Sequence, residues 1–161
     1  AILAELENDF DVTIITQNVD NLHEKAGSSN IIHLHGELFK SQSTLDPSLI
    51  YEMDHWELNV GDKCEKGSQL RPFIVWFGEM VPMMEPAMEA AQQADVFAVI
   101  GTSLQVYPAA GLIQYAPSES LKYIIDVNIP QIGNINNLKA IQATASEGTQ
   151  IMAQELIEKY V

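Results

Sequence analysis

Cysteine is nearly missing from this chain: Cys64 is the only one in 161 residues. One thiol cannot close an internal disulfide, which fits a reducing compartment, so a cytoplasmic setting is expected. Basic side chains are also scarce, 8 Lys and Arg against 22 Asp and Glu, leaving a formal net charge of −14. Nucleic acid and anionic membrane surfaces attract basic proteins, so this balance excludes either as the main partner. An acidic surface suits a Lys-bearing polypeptide, although solubility explains it equally well. No apolar run approaches the roughly 18 residues needed to span a bilayer. Internal repeats and low-complexity tracts are absent. No methionine stands at position 1, and Ala1 opens within an apparent helix, so the chain is expected to be a fragment.

Among what is present, 47% hydrophobic residues suffice for a core of ordinary size, in one domain or most of one. An apolar run at 12–15 leads straight into Thr16-Gln17-Asn18-Val19-Asp20-Asn21-Leu22-His23, and Ile31-Ile32 leads into His33-Leu34-His35-Gly36. Strands are expected at 12–16 and 31–34, with a helix before the first. A short helix capped by Asp20 should run to Lys25 and end near Gly27. Residues 40–70 are polar, carry Pro47, Gly61 and Gly67, and show no sustained period, so they read as an inserted subdomain. Further strands are expected at 73–77, 95–100, 121–127 and 140–143. Helices are expected at 85–94, 109–115 and 147–160, with Pro82, Pro86 and Pro108 near two of their starts. The continuous apolar run at 95–100 reads as a central strand covered on both faces. This alternation implies an α/β fold, a doubly wound parallel sheet of Rossmann-like type over 1–39 and 71–161 around the 40–70 insert.

Parallel strands bring their carboxyl ends to one edge, where open α/β sheets bind ligands. Gln17 to Asp20, His35-Gly36, Gly101-Thr102-Ser103 and Asn128 all stand at such ends. Taken singly, Gly-Thr-Ser is a tight turn and Asn128 a cap; converging on one edge they suit a nucleotide, with glycine admitting the ligand's approach and hydroxyls meeting phosphate. His35 is the natural general base, because imidazole exchanges protons near neutral pH. His33 reads as a packing histidine and His23 as a structural one. A His33-x-His35 chelate lacks a clear carboxylate or thiolate to complete it. Met80, Met83, Met84 and Met88 read as packing for the helix at 85–94.

Together, the Thr16–His23 string, Leu34-His35-Gly36, Val75-Trp76-Phe77-Gly78-Glu79, Gly101-Thr102-Ser103-Leu104 with Val106 and Pro108-Ala109-Ala110, and Asn128 resemble the sirtuins, NAD-dependent protein-lysine deacylases. The likeness covers nearly the whole chain, and Leu70-Arg71-Pro72 resembles the bacterial, desuccinylase-like branch. It implies that Gln17, Asn18, Val19 and Asp20 line the nicotinamide-ribose pocket, with Asn18 and Asp20 fixing the ribose and a bound water, and that His35 is the proton acceptor. By the same resemblance Gly101, Thr102 and Ser103 hold the phosphate and ribose part of NAD. Asn128, Ile129 and Pro130 would bind the adenosine ribose, and Ala145 would lie against adenine. Val75 and Phe77 would line an acyl-lysine tunnel, while Gly78, Glu79, Val81 and Tyr107 would border acylated lysine on a protein substrate, added as a strand.

Two departures from the sirtuin pattern matter. Many sirtuins hold a structural zinc on two cysteine pairs within the insert; here Cys64 stands alone, with Lys66 and residues 41–44 supplying no thiolate. No zinc is expected, and Ile50, Tyr51, Met53, Trp56 and Leu58 are expected to pack the insert instead, with Cys64 a plain surface or half-buried residue. The glycine-rich phosphate loop and first strand of a sirtuin are also missing, so half an NAD site and no activity are expected of this chain alone. Two other readings compete with the deacylase: a non-enzymatic NAD or ADP-ribose binding module, and a protein ADP-ribosyltransferase.

Overall fold

The computed structural model describes residues 1–130 and 133–161. Helix α1 (Ile2–Leu6) precedes strand β1 (Ile14–Thr16), helix α2 (Leu22–Lys25) and strand β2 (Ile31–His33). β1 and β2 pair in parallel, with Ile14 opposite Ile31. Strands β3 (Gly36–Ser43), β4 (Ile50–Glu52) and β5 (Leu70–Ile74) follow, then helix α3 (Met84–Gln92) and strand β6 (Val96–Ile100). A 3₁₀ helix over Ala109–Gln114, β7 (Leu121–Asp126), β8 (Leu138–Gln142) and helix α4 (Ala145–Tyr160) complete the chain.

The β6–β7–β8 sheet is parallel throughout, and its alternation sets the layers. Tyr123 and Ile125 face one side, where they pack with Leu6, Met152, Ala153 and Leu156 of α1 and α4. Ile124 faces the other side and packs with Val99 and Ile113. This period of two places helices on both faces, the doubly wound arrangement expected from the sequence. Leu34, Ala87, Ala109 and Leu112 form a third cluster, against which Ile15, Ile32 and Phe97 pack from both parallel sheets.

Three expectations need correction. Residues 95–100 form an edge strand rather than a central one: β6 pairs with β7 alone, and no ladder joins it to β1 among the described residues. Val96, Phe97, Ala98 and Ile100 are accordingly only half-buried. Apolarity makes a segment fit for burial, but its neighbours decide whether it is covered. The segment at 73–77 does not join the parallel sheet either, since β5 runs antiparallel to β3 from Gly36–Ile74 to Ser43–Leu70. Finally, the insert is not packed as expected: Ile50 and Trp56 are exposed, at 44% and 65%, while Cys64 is buried at 6%. The antiparallel unit spans 36–74, and its buried contacts around Ser41, Ser43 and Ser68 are polar.

The methionines divide. Met84 and Met88 pack onto the Leu34 cluster as expected, but Met80 is 87% and Met83 38% exposed. Helix α4 begins at a box in which the Thr144 hydroxyl accepts from the Glu147 N–H and donates to the Glu147 carboxylate. One turn later Gly148 lies so close to β7 that a Cβ would stand 2.2 Å from Cγ2 of Ile125. Replacing Gly148 by Ala should therefore overpack the α4–β7 contact and cost about 1–3 kcal/mol, read as a lowered Tm by calorimetry. An unchanged Tm would mean that the helix has room to move outward.

Candidate active site

The turn after β1 is built by short-range bonds. The buried Thr16 hydroxyl accepts from the Asn18 N–H at 3.1 Å, and the Asp20 carboxylate accepts from the Leu22 N–H at 3.0 Å. These side chain–backbone turns at i and i+2 are what Thr and Asp favour at the ends of elements. The turn is then tied to β3, because the Leu38 N–H donates to the Val19 carbonyl at 2.7 Å.

His35 stands in the bend between β2 and β3, half-buried. Its Nδ1 lies 3.1 Å from the Gln17 carbonyl, and its own carbonyl accepts from the Val75 N–H at 2.9 Å. A carbonyl can only accept, so Nδ1 carries the proton in the neutral ring and the lone pair is left on Nε2. Gly36 makes the bend possible, with φ +85° and Phe73 O only 2.0 Å from where a Cβ would sit. His35, Gln17, Val19 and Val75 are thus drawn together from three separate stretches of chain. Asn18 and Asp20 lie in the same turn, exposed and half-buried respectively.

Gly101 ends β6 with φ +63°, and its N–H donates to the Ile125 carbonyl at 2.9 Å. A Cβ there would meet Ala145 Cβ at 3.7 Å, so Gly101 and Ala145 meet where α4 begins. The Thr102 hydroxyl accepts from the Leu104 N–H at 3.4 Å. Ser103, Tyr107 and Pro130 line one cleft of about 610 Å³ together with Leu104 and Ile113. Asn128 is exposed in the turn after β7, its N–H bound by the Asp126 carboxylate at 2.8 Å. Ile129 packs against the Val99–Ile113–Ile124 cluster. A larger cavity of about 970 Å³ lies at the opposite edge, around Asp95, Leu121 and Leu138, remote from His35.

The residues expected to meet substrate are mostly open. Val75 is half-buried, Phe77 is 99% and Tyr107 72% exposed, and Val81 packs into the Leu34 cluster. Gly78 and Glu79 form an exposed turn that sequence reasoning did not explain. Arg71 donates to both Glu79 oxygens at 2.7 and 3.1 Å, and Glu79 in turn accepts from the Trp76 N–H at 3.1 Å. The Arg71 guanidinium, with that N–H, holds the Glu79 carboxyl below its ordinary range. Nothing in the spacing of Arg71 and Glu79 marks them as partners. His33 behaves as a packing histidine: its side chain is 9% exposed and its Nε2 lies 2.7 Å from Glu24. Glu37, near both, is engaged by Lys40 at 3.0 Å.

Comparison with known proteins adds a family. A profile described as the Sir2 family matches residues 1–108. An NAD-dependent protein deacylase of Bacteroides thetaiotaomicron is 51% identical over 97% of this chain and 69% of its own length. One of Helicobacter pylori is 49% identical over 97% of this chain and 68% of its own length. A crystal structure of a Sir2 homologue with NAD superposes with a TM-score of 0.85 at 35% identity, covering 98% of this chain and 63% of that one. A Sir2 structure with a propionylated peptide gives 0.76 at 28% identity, covering 98% of this chain and 68% of that one. The chain therefore spans about two thirds of the length of these relatives.

The Glu79 fork should make this loop sensitive to pH. A carboxyl held below its ordinary range stabilises the fold at pH above that range, and the contribution is lost as pH falls through the depressed value. Trp76 fluorescence, read in a Trp56→Phe background, should stay constant above the usual glutamate range and change as the pH drops below it. Glu79→Gln should show the low-pH spectrum at neutral pH and lose the transition.

Proposed function

Because the chain belongs to the Sir2 family, we propose that it carries the larger part of an NAD-dependent protein-lysine deacylase with His35 as its base. The observation that carries this reading is the His35 ring bonded through Nδ1 at 3.1 Å to the carbonyl of Gln17, in the turn that also holds Asn18 and Asp20. A module that only binds a nucleotide has no use for an imidazole presented in that tautomer.

The residues fit NAD in two places. Gly101, with positive φ and Ala145 close by, leaves a cradle at the start of α4 where Thr102 and Ser103 offer hydroxyls to phosphate. Gln17, Asn18, Val19 and Asp20 present amide, backbone and carboxylate groups toward a ribose beside His35. Asn128, Ile129 and Pro130 are assigned to the adenosine ribose, and Ala145 to the adenine. NAD, when bound, supplies a ribose carbon that loses nicotinamide and a ribose hydroxyl that receives the acyl group. His35 accepts the proton of that hydroxyl at Nε2, and the Gln17 carbonyl stabilises the imidazolium through Nδ1–H. Asp20 places negative charge near positive charge as it develops. Val75, Phe77, Gly78, Glu79, Val81 and Tyr107 border the acyl-lysine segment, a reading supported by a similar Sir2 structure bound to a propionylated peptide. A cytoplasmic setting belongs to the same reading, supported by a buried free thiol at Cys64.

Among the described residues no strand joins the two parallel sheets. The His35 turn and the Gly101 turn are then not held by one ladder, so this chain alone should bind NAD weakly and turn over little. Calorimetric titration should show tighter NAD binding when the chain is extended at Ala1 with the corresponding segment of the Bacteroides relative. Given an acylated peptide, the extended protein should release nicotinamide and O-acyl-ADP-ribose. ADP-ribose left on protein would instead indicate a transferase, and neither product a binding module. In the extended protein His35→Ala should lower turnover by about 10²–10⁴-fold while NAD binding persists; undiminished turnover would remove His35 from its role.

A further inference from the structure

The insert of many sirtuins is pinned by zinc, and the residues in this one do not fit that ion. Three buried groups meet at the far end of the β3–β5 ladder: Ser43 at 2%, Cys64 at 6% and Ser68 at 8% exposure. The Ser43 and Ser68 hydroxyl oxygens are 2.6 Å apart, and Cys64 Sγ lies 3.1 Å from Ser68 Oγ and 3.6 Å from Ser43 Oγ. Oxygens bound to one tetrahedral zinc at about 2.0–2.2 Å stand roughly 3.3–3.6 Å from each other. The hydroxyls are closer than that, at hydrogen-bonding distance, and a neutral hydroxyl is a poor zinc ligand beside thiolate, imidazole or carboxylate.

The geometry points to a metal-free clasp: Ser43, Cys64 and Ser68 hold the insert closed through a ring of hydrogen bonds, doing the mechanical work that zinc does elsewhere in the family. Each group has one hydrogen to give. Cys64 S–H donates to Ser43 Oγ, which leaves the Ser43 O–H for Ser68 Oγ and the Ser68 O–H for Cys64 Sγ. Every polar hydrogen in the ring is then used, as burial requires.

Each side of the ring also organises its own loop. Ser43 Oγ also accepts from the N–H groups of Leu45 and Asp46 at 3.2 and 3.1 Å, which share one lone pair while the other faces the longer Cys64 contact, folding the chain as it leaves β3. Across from it, the Cys64 N–H donates to the Ser68 carbonyl at 2.9 Å and the Gly67 N–H to the Cys64 carbonyl at 2.8 Å. Lys66 Nζ reaches Asp46 at 2.7 Å and ties the two loops together at the surface. The ring sits where Ser43 pairs with Leu70, so it closes the end of the ladder opposite Gly36–Ile74. That location explains why the insert does without the apolar packing expected of Ile50 and Trp56.

The test uses the 161-residue chain. Purified and titrated with Zn²⁺ or Co²⁺, it should bind neither stoichiometrically, show no thiolate-to-cobalt charge-transfer band, and keep its Tm in excess chelator. Amide exchange of Gln42, Ser43 and Leu70 should quicken about three- to tenfold in Ser43→Ala and Ser68→Ala, the loss of one net hydrogen bond. Cys64→Ser, which preserves a donor and an acceptor, should exchange more like the parent than Cys64→Ala does. The proposal is overturned by tight cobalt binding with a thiolate band in the unaltered chain, a readout that no misfolded variant can obscure. It is equally overturned if Ser43→Ala and Cys64→Ala exchange as slowly as the parent.

Discussion

His35 projects from the bend where a parallel pair of strands gives way to an antiparallel one, and the Gln17 carbonyl 3.1 Å from its Nδ1 is the contact on which the rest of the site depends. A backbone carbonyl offers no proton, so the ring is oriented and its tautomer selected by the same bond. The bond forms only because the turn after β1 is itself held, by Thr16 within the turn and by Leu38 from β3. On the other side, the Val75 N–H to His35 carbonyl bond continues the β3–β5 ladder past its last register pair. The imidazole is therefore braced by two sheets of different kinds, and Gly36 is the residue that lets the chain pass from one to the other.

The same bracing explains why the antiparallel unit matters although it lies outside the parallel core. β3 and β5 run from His35 and Val75 at one end to the polar cluster of Ser43, Cys64 and Ser68 at the other. The register shifts between Glu37 and Ser41 along the way, so it must be held at both ends. At the near end it is held by the close approach of Gly36 to Phe73, and at the far end by hydroxyl and thiol hydrogen bonds.

Electrostatics plays a local part. The charge of −14 is spread over surface carboxylates, several of them paired, such as Glu79 with Arg71 and Glu155 with Lys139. Exposed pairs of this kind contribute little to stability, but the Arg71–Glu79 fork is bidentate and also ties down the Trp76 N–H. It shapes the turn after Val75, in which Phe77 and Met80 leave apolar surface uncovered.

Much of this protein could be read from residue order. The strand and helix alternation, the short helix after Asp20 and the family likeness of the motifs all follow from residue types and their local order. The meeting of His35 with Gln17, of Gly101 with Ala145 and of Arg71 with Glu79 was settled by tertiary structure. So were the edge position of β6, the exposure of Trp56 and Phe77, and the ring that buries Cys64. Each of these depends on which segments become neighbours. Periodicity reports how a segment would present its faces, whereas pairing partners, burial and the tautomer of an imidazole are properties of contacts between segments distant in the chain.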